Sequence, residues 1–146
     1  MVWFNGESQI REEDVANWDP PPETWIHFCH VFSSSTFTIY TQGQEIFSKD
    51  LMSGWSLQLN GSLVLGQEQD ALGGGFDIAQ VMIGDIAQVS FWDRPLTIPE
   101  IVEMATCRTL GRGNVFSSDT ASLEVYGSTV QWVNVETLCR CSCYIT

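Results

Sequence analysis

The sequence predicts an all-β fold, an antiparallel jelly-roll sandwich that carries one short helix. Short runs of β-branched and aromatic residues recur along the chain. Glycine- and proline-containing turn signals separate them at spacings that suit a sandwich. A single segment, residues 98–106, breaks this pattern with helical spacing of its apolar positions.

Taken in order, the first element is a hairpin. Trp3 and Phe4 precede Asn5-Gly6, a strong hairpin-turn pair, and Ile10 follows. Residues 11–24 are charged and contain Asp19-Pro20-Pro21-Pro22-Glu23, a loop no helix can cross. Residues 25–32 alternate in part and read as a strand. Ser33 to Ser35 form a polar turn, and residues 36–40 are a β-branched and aromatic strand. Thr41-Gln42-Gly43-Gln44 turns the chain into a partner strand that starts at Glu45-Ile46-Phe47. Residues 49–62 form a linker. Within it, Asn60-Gly61-Ser62 is an N-glycosylation sequon, and its Asn-Gly pair is equally a bare turn.

The next stretch carries the chemistry. The apolar run Leu63-Val64-Leu65 reads as a strand and ends at Gly66. Gln67, Glu68, Gln69 and Asp70 then place four oxygen-bearing side chains in a row, and Gly73 to Gly75 allow tight curvature. Asp77 and Gln80 add further oxygens, and a second apolar run from Val81 to Val89, which reads as a second strand holding the loop, leads into Phe91-Trp92-Asp93. Glu68 and Asp70 are two apart, so extended backbone points both carboxylates to one side. Carboxylates held together repel unless a cation sits between them. Calcium, which takes six to eight oxygens, suits such a loop.

The helix follows. Thr97 stands three residues before Glu100, a capping box, and Pro99 lies in the first turn, where its missing N–H costs little. Ile98, Ile101 and Ala105 share one face. Gly111 and Gly113 end the region, and the segments 114–116, 123–125 and 130–133 read as closing strands.

At 146 residues the chain fits one domain, and a hydrophobic fraction of 44% suffices for its core. Acids outnumber bases 18 to 6, a net charge of -12. That balance argues against nucleic acid and anionic membranes, both polyanions, as partners. It is compatible with cation binding and equally with simple solubility. No window resembles a transmembrane helix. Met1 is followed by Val-Trp-Phe-Asn-Gly-Glu, with neither a basic region nor an apolar signal core, so a host chain or precursor is expected to supply any secretion signal. Five cysteines sit at positions 29, 107, 139, 141 and 143. Cys-x-Cys-x-Cys without histidine does not match the usual zinc pattern, so extracellular disulfides are expected. An odd count leaves at least one thiol without an intrachain partner. His27 beside Cys29 does not by itself make a metal site.

These residues also carry a family resemblance. Leu65-Gly66-Gln67-Glu68-Gln69-Asp70, Gly73-Gly74-Gly75-Phe76-Asp77, Gln80, Gly84-Asp85-Ile86 and Trp92-Asp93 resemble the calcium loop of pentraxins. Those are extracellular calcium-dependent ligand-binding domains with a two-sheet jelly roll, similar to legume lectins and laminin G modules. His27, Cys29 and Ser34 fit the pentraxin signature, while Val31 and Phe32 depart from it. The match spans residues 25–107, and the disulfide-bearing extension 108–146 resembles the ending of pentraxin modules in mosaic proteins.

The resemblance implies a calcium ion held by side-chain oxygens of Glu68, Asp70, Asp77 and Gln80 and by the carbonyl oxygen of Gln69. Asp77 stands where the family usually has Glu, one methylene longer. The resemblance further implies a Cys107–Cys139 disulfide, a phosphate-bearing or carbohydrate ligand engaged through calcium, homo-oligomeric assembly, and a secreted protein or the extracellular part of a larger one. A full pentraxin domain has further N-terminal strands. They hold the partner of the cysteine matched by Cys29 and an Asp-Asn pair for a first calcium. Residues 1–146 therefore read as a single partial domain, either a fragment or a shortened member, that binds about one calcium.

Two other readings remain. Glu-x-Asp on a jelly-roll strand also resembles retaining glycosidases of the concanavalin-like fold, which need a second carboxyl about 5–5.5 Å away. That position falls near Gly73, so an enzyme is not expected. The other is a structural or adhesion module of a larger extracellular or receptor protein, without functional calcium binding.

Overall fold

The computed structural model describes residues 2–4, 7–10, 24–51, 62–121, 123–127 and 129–131. Two short strands open the described residues, β1 (Val2–Phe4) and β2 (Glu7–Ile10), paired antiparallel; the Asn5-Gly6 turn signal between them lies outside the described residues. A three-stranded antiparallel sheet follows in the order β3 (Phe28–Phe32), β4 (Thr36–Thr41), β5 (Gln44–Asp50). Its register sets Phe32 opposite Phe37 and Ile39 opposite Phe47. The turn between β4 and β5 uses Gln42 at φ 51° and Gly43 at φ 79°. Two consecutive positive φ values match the twist of the flanking strands.

β4 is the central strand, and the core lies on it. Phe37 is fully buried, with Ile39 and Leu51 packed beside it and Phe32 and Phe47 leaning in. The Phe32 and Phe37 rings stand 4.6 Å apart between centroids, a stacking distance that adds to their burial. On the opposite face of β4, Thr38 Oγ1 and Ser48 Oγ lie within hydrogen-bonding distance at 3.2 Å. The strand starts at Phe28 rather than at Trp25, because the pairing with β4 begins there. His27 is held at the sheet end instead: its N–H donates to Gln42 Oε1 and its carbonyl accepts from Gln42 N. Burial lowers the pKa of its ring.

The next strand among the described residues is β6 (Ser90–Phe91), which pairs antiparallel with β7 (Phe116–Ser117). The expected strands at residues 63–65 and 81–89 are not formed. Leu63, Val81, Met82 and Ile83 stay exposed, and Gln88 takes φ 55°. Apolar sequence alone does not make a strand, which also needs a neighbour to take its N–H and C=O groups. Residues 123–125 are likewise not a strand.

Between β6 and β7 lies α1 (Ile98–Ala105), the expected helix ending one residue early. Thr97 N and Thr97 Oγ1 both donate to Glu100 Oε2 at 2.8 Å, and Arg94 forks onto the same carboxylate. Ile101 is fully buried, whereas Ile98, expected on the same face, is exposed. The helix packs on the β4–β5 turn, where a Cβ on Gly43 would touch Val102 and Ala105 at 3.4 Å. Gly113 fills the gap between the strands of the second pair: its N–H donates to Ser117 Oγ at 2.9 Å, and a Cβ there would overlap Phe91 O and Phe116 O.

Cys107 is disulfide-bonded. Its expected partner Cys139 lies outside the described residues, as do Cys141, Cys143, the sequon at Asn60 and residue 132 onward. Cys29 is free and half-buried, opposite Tyr40, and burial pushes its thiol up to about 11. Among the described residues no helix is long and apolar enough to cross a membrane.

Candidate metal-binding loop

Residues 66–82 form a closed loop with a defined base. Met82 N donates to Gly66 O at 2.8 Å, and Gln67 and Val81 form an antiparallel bridge. One leg carries Glu68 and Asp70 upward, and the other brings Asp77 and Gln80 down. At the tip, Ala71 and Gly74 bond to each other in both directions. Gly75 takes φ 72°, and a Cβ there would sit 2.9 Å from Asp70 Cβ. Only glycine allows the returning backbone to pass so close to Asp70.

Two amide side chains stitch the legs together, and a third braces the loop from outside. Gln67 Nε2 donates to Asp77 O at 2.8 Å, and Gln80 Nε2 donates to Glu68 Oε2 at 2.5 Å. Gln69 braces the outside: its Nε2 donates to Ser62 O, while its Oε1 accepts from Ser62 Oγ and Gly73 N. Asp77 starts a 3-10 turn, Ile78–Gln80, and its Oδ1 accepts from Ala79 N at 2.9 Å. That turn swings Gln80 back over Glu68.

Of the expected ligands, the structure therefore brings Glu68 and Gln80 into contact and places Asp77 at the head of the turn that carries Gln80. The side chain of Gln69 faces Ser62 and Gly73. Among the described residues no three His, Cys, Asp or Glu side chains converge as a metal cluster. The backbone bends at Asp70, two residues after Glu68. Gln67 is not among the expected ligands, yet it ties the two legs at their base. Its signal in the sequence is its place directly after Gly66, where the strand-like run gives way to the acidic loop.

The donor chemistry fits calcium. Every polar side chain from 67 to 80 ends in a carboxylate or an amide, all hard oxygen donors, with no thiolate or imidazole. Glu68, Asp70, Asp77 and Gln80 are all exposed.

The sheet, the helix and the loop together admit a comparison with known proteins. The Pentaxin family model matches residues 7–132. This chain belongs to the pentraxin family. Human neuronal pentraxin-1 is 37% identical over 112 residues, which cover 74% of this pentraxin and 26% of that protein. The mouse neuronal pentraxin receptor is 36% identical over 106 residues, 70% of this chain and 22% of its own. This pentraxin thus spans about a quarter of the length of the curated relatives it matches. Among solved structures, the native heptameric SAP-like pentraxin from Limulus polyphemus aligns with a TM-score of 0.59 at 28% identity, covering 73% of this chain and 51% of that one. The fold is accordingly the mostly-β jelly roll with one short helix, and the family is a non-enzymatic, ligand-binding one.

Proposed function

We propose that this chain is an extracellular, calcium-dependent recognition module that takes a phosphate-bearing or carbohydrate ligand through a calcium held in the 66–82 loop. One observation supports the reading above the rest: Gln80 and Glu68, far apart in sequence, are delivered to the same point by the Gln67–Val81 bridge and the turn headed by Asp77. Glu68, Asp70, Asp77 and Gln80 would supply side-chain oxygens, and Gln69 its carbonyl. Bound there, calcium supplies positive charge for anionic or hydroxyl oxygens of a ligand. The chain's own part is to hold acidic oxygens on a glycine-jointed loop. Four or five protein oxygens leave coordination places for water or ligand, since calcium takes six or more.

The disulfide at Cys107 supports an oxidising, extracellular setting. The heptameric Limulus relative supports homo-oligomeric assembly. The sequon at Asn60 is proposed to be glycosylated, and the Asp-Asn half of a first calcium site is proposed to lie outside a partial domain. A structural or adhesion module is the second reading, and the lack of a three-acid cluster among the described residues favours it.

Calorimetric titration with calcium chloride separates the two. About one ion per chain, bound weakly and lost in Asp70→Asn, supports recognition. Absence of heat, with a loop that resists protease in chelator, overturns it and leaves the adhesion module.

A further inference from the structure

A half-open cavity of about 290 Å³ lies beside α1, away from the loop. That volume is just under the roughly 300–1,000 Å³ of sites for drug-sized ligands, so it has room for a group the size of one side chain. Trp92, Leu96 and Met104, all half-buried, give it an apolar wall. Gly111 closes that wall: a Cβ on it would overlap Met104 Sδ and sit 3.5 Å from Trp92 Cζ2.

Four charged side chains also line the cavity: Arg94, Glu100, Glu103 and Arg112. The two cations are already engaged. Arg94 forks onto Glu100 at 2.5 and 3.0 Å, and Arg112 Nε meets Asp119 Oδ2 at 2.8 Å. Glu103 has no ion pair among the described residues. The charge left over is therefore one exposed carboxylate. It sits in the last turn of α1, where the helix dipole adds negative potential. An indole and a carboxylate lining one cavity favour a cation, and apolar neighbours favour one with a carbon stem.

We propose that this cavity binds an alkylammonium group, with Glu103 taking the ammonium and Trp92, Leu96 and Met104 covering the stem. The source is either a free amine or a lysine side chain of a partner. Nothing in this assignment depends on the calcium loop.

The test is a ¹H–¹⁵N NMR titration of the whole chain with n-butylammonium chloride, with n-butanol and sodium butyrate as controls. The Trp92 indole resonance is assigned from Trp92→Phe. The expected result is a saturable shift of the Trp92 indole and the Glu103 amide with the ammonium alone. Glu103→Gln should weaken it about tenfold, the loss of one charge-assisted contact. Glu103 is exposed, so this variant should keep the rest of the spectrum in place. A blocked Gly-Lys-Gly peptide that binds more tightly than the free amine assigns the site to a partner's lysine; equal or weaker binding assigns it to a free amine. Absence of a saturable shift, equal shifts with n-butanol, or undiminished binding to Glu103→Gln overturns the proposal.

Discussion

Gln80 Nε2 donates to Glu68 Oε2 at 2.5 Å, closing the acidic loop across twelve residues. The neutral amide lets a carboxylate approach without a second negative charge facing it. Gln80→Glu replaces that donor with a like charge. Repulsion between unit charges about 4 Å apart in water is on the order of 1 kcal/mol. The variant loop should open more often and be cut several-fold faster within residues 67–80 by a non-specific protease in chelator. Millimolar calcium, held at the proposed site, should return the cutting rate to that of the unsubstituted chain. Equal rates for both chains in chelator would show that the contact does not hold the loop shut.

The cysteines give a second prediction. Non-reducing peptide mapping should find Cys107 joined to Cys139, and reduction of that bridge should lower stability by roughly 3–4 kcal/mol. Cys29, with its thiol pushed up to about 11, should react slowly with iodoacetamide at pH 8. Denaturant should make it react quickly. A Cys29–Cys107 bridge would overturn both parts.

A third prediction concerns acid. The Arg94 guanidinium, then the Thr97 N–H and hydroxyl, hold the Glu100 carboxyl down at about 2 from an ordinary 4.5. A depressed carboxyl contributes stability that is present above its unfolded value and lost as pH falls through the folded one. The contribution of this cap should therefore fade between about pH 4.5 and 2, and Glu100→Gln should flatten that part of the profile of melting temperature against pH. At neutral pH, Thr97→Ala should cost about 1 kcal/mol through the same cap. An unchanged acid limb in Glu100→Gln would show that the pairing with Arg94 is not formed in solution.

Much of this was legible before any coordinates. The β4–β5 turn and α1 rest on local chemistry: a positive-φ turn, a capping pair and a first-turn proline. Such signals act within a few residues, so the sequence displays them directly. The apolar runs 63–65 and 81–89 form no strand, because a strand depends on a partner far away in the chain. Ile98 is exposed for a related reason: α1 meets the turn at Gly43 through Val102 and Ala105, a turn beyond the helix start. In the loop, the residue types were legible and the roles were not. Which amide braces a backbone and which faces a carboxylate depends on the path set by Gly75 and Asp77.

Gly113 shows a different kind of constraint. Its φ is ordinary, so no backbone preference calls for glycine there; the backbone oxygens of Phe91 and Phe116 simply occupy the volume of any side chain. The position is closed to substitution in either direction, by small residues as by large ones. Its neighbours are exposed but engaged through their side chains: Arg112 pairs with Asp119, and Asn114 accepts from Asp93 N and donates to Asp93 Oδ1. A library built across residues 112–114 should therefore leave residue 113 alone, because it has one usable letter.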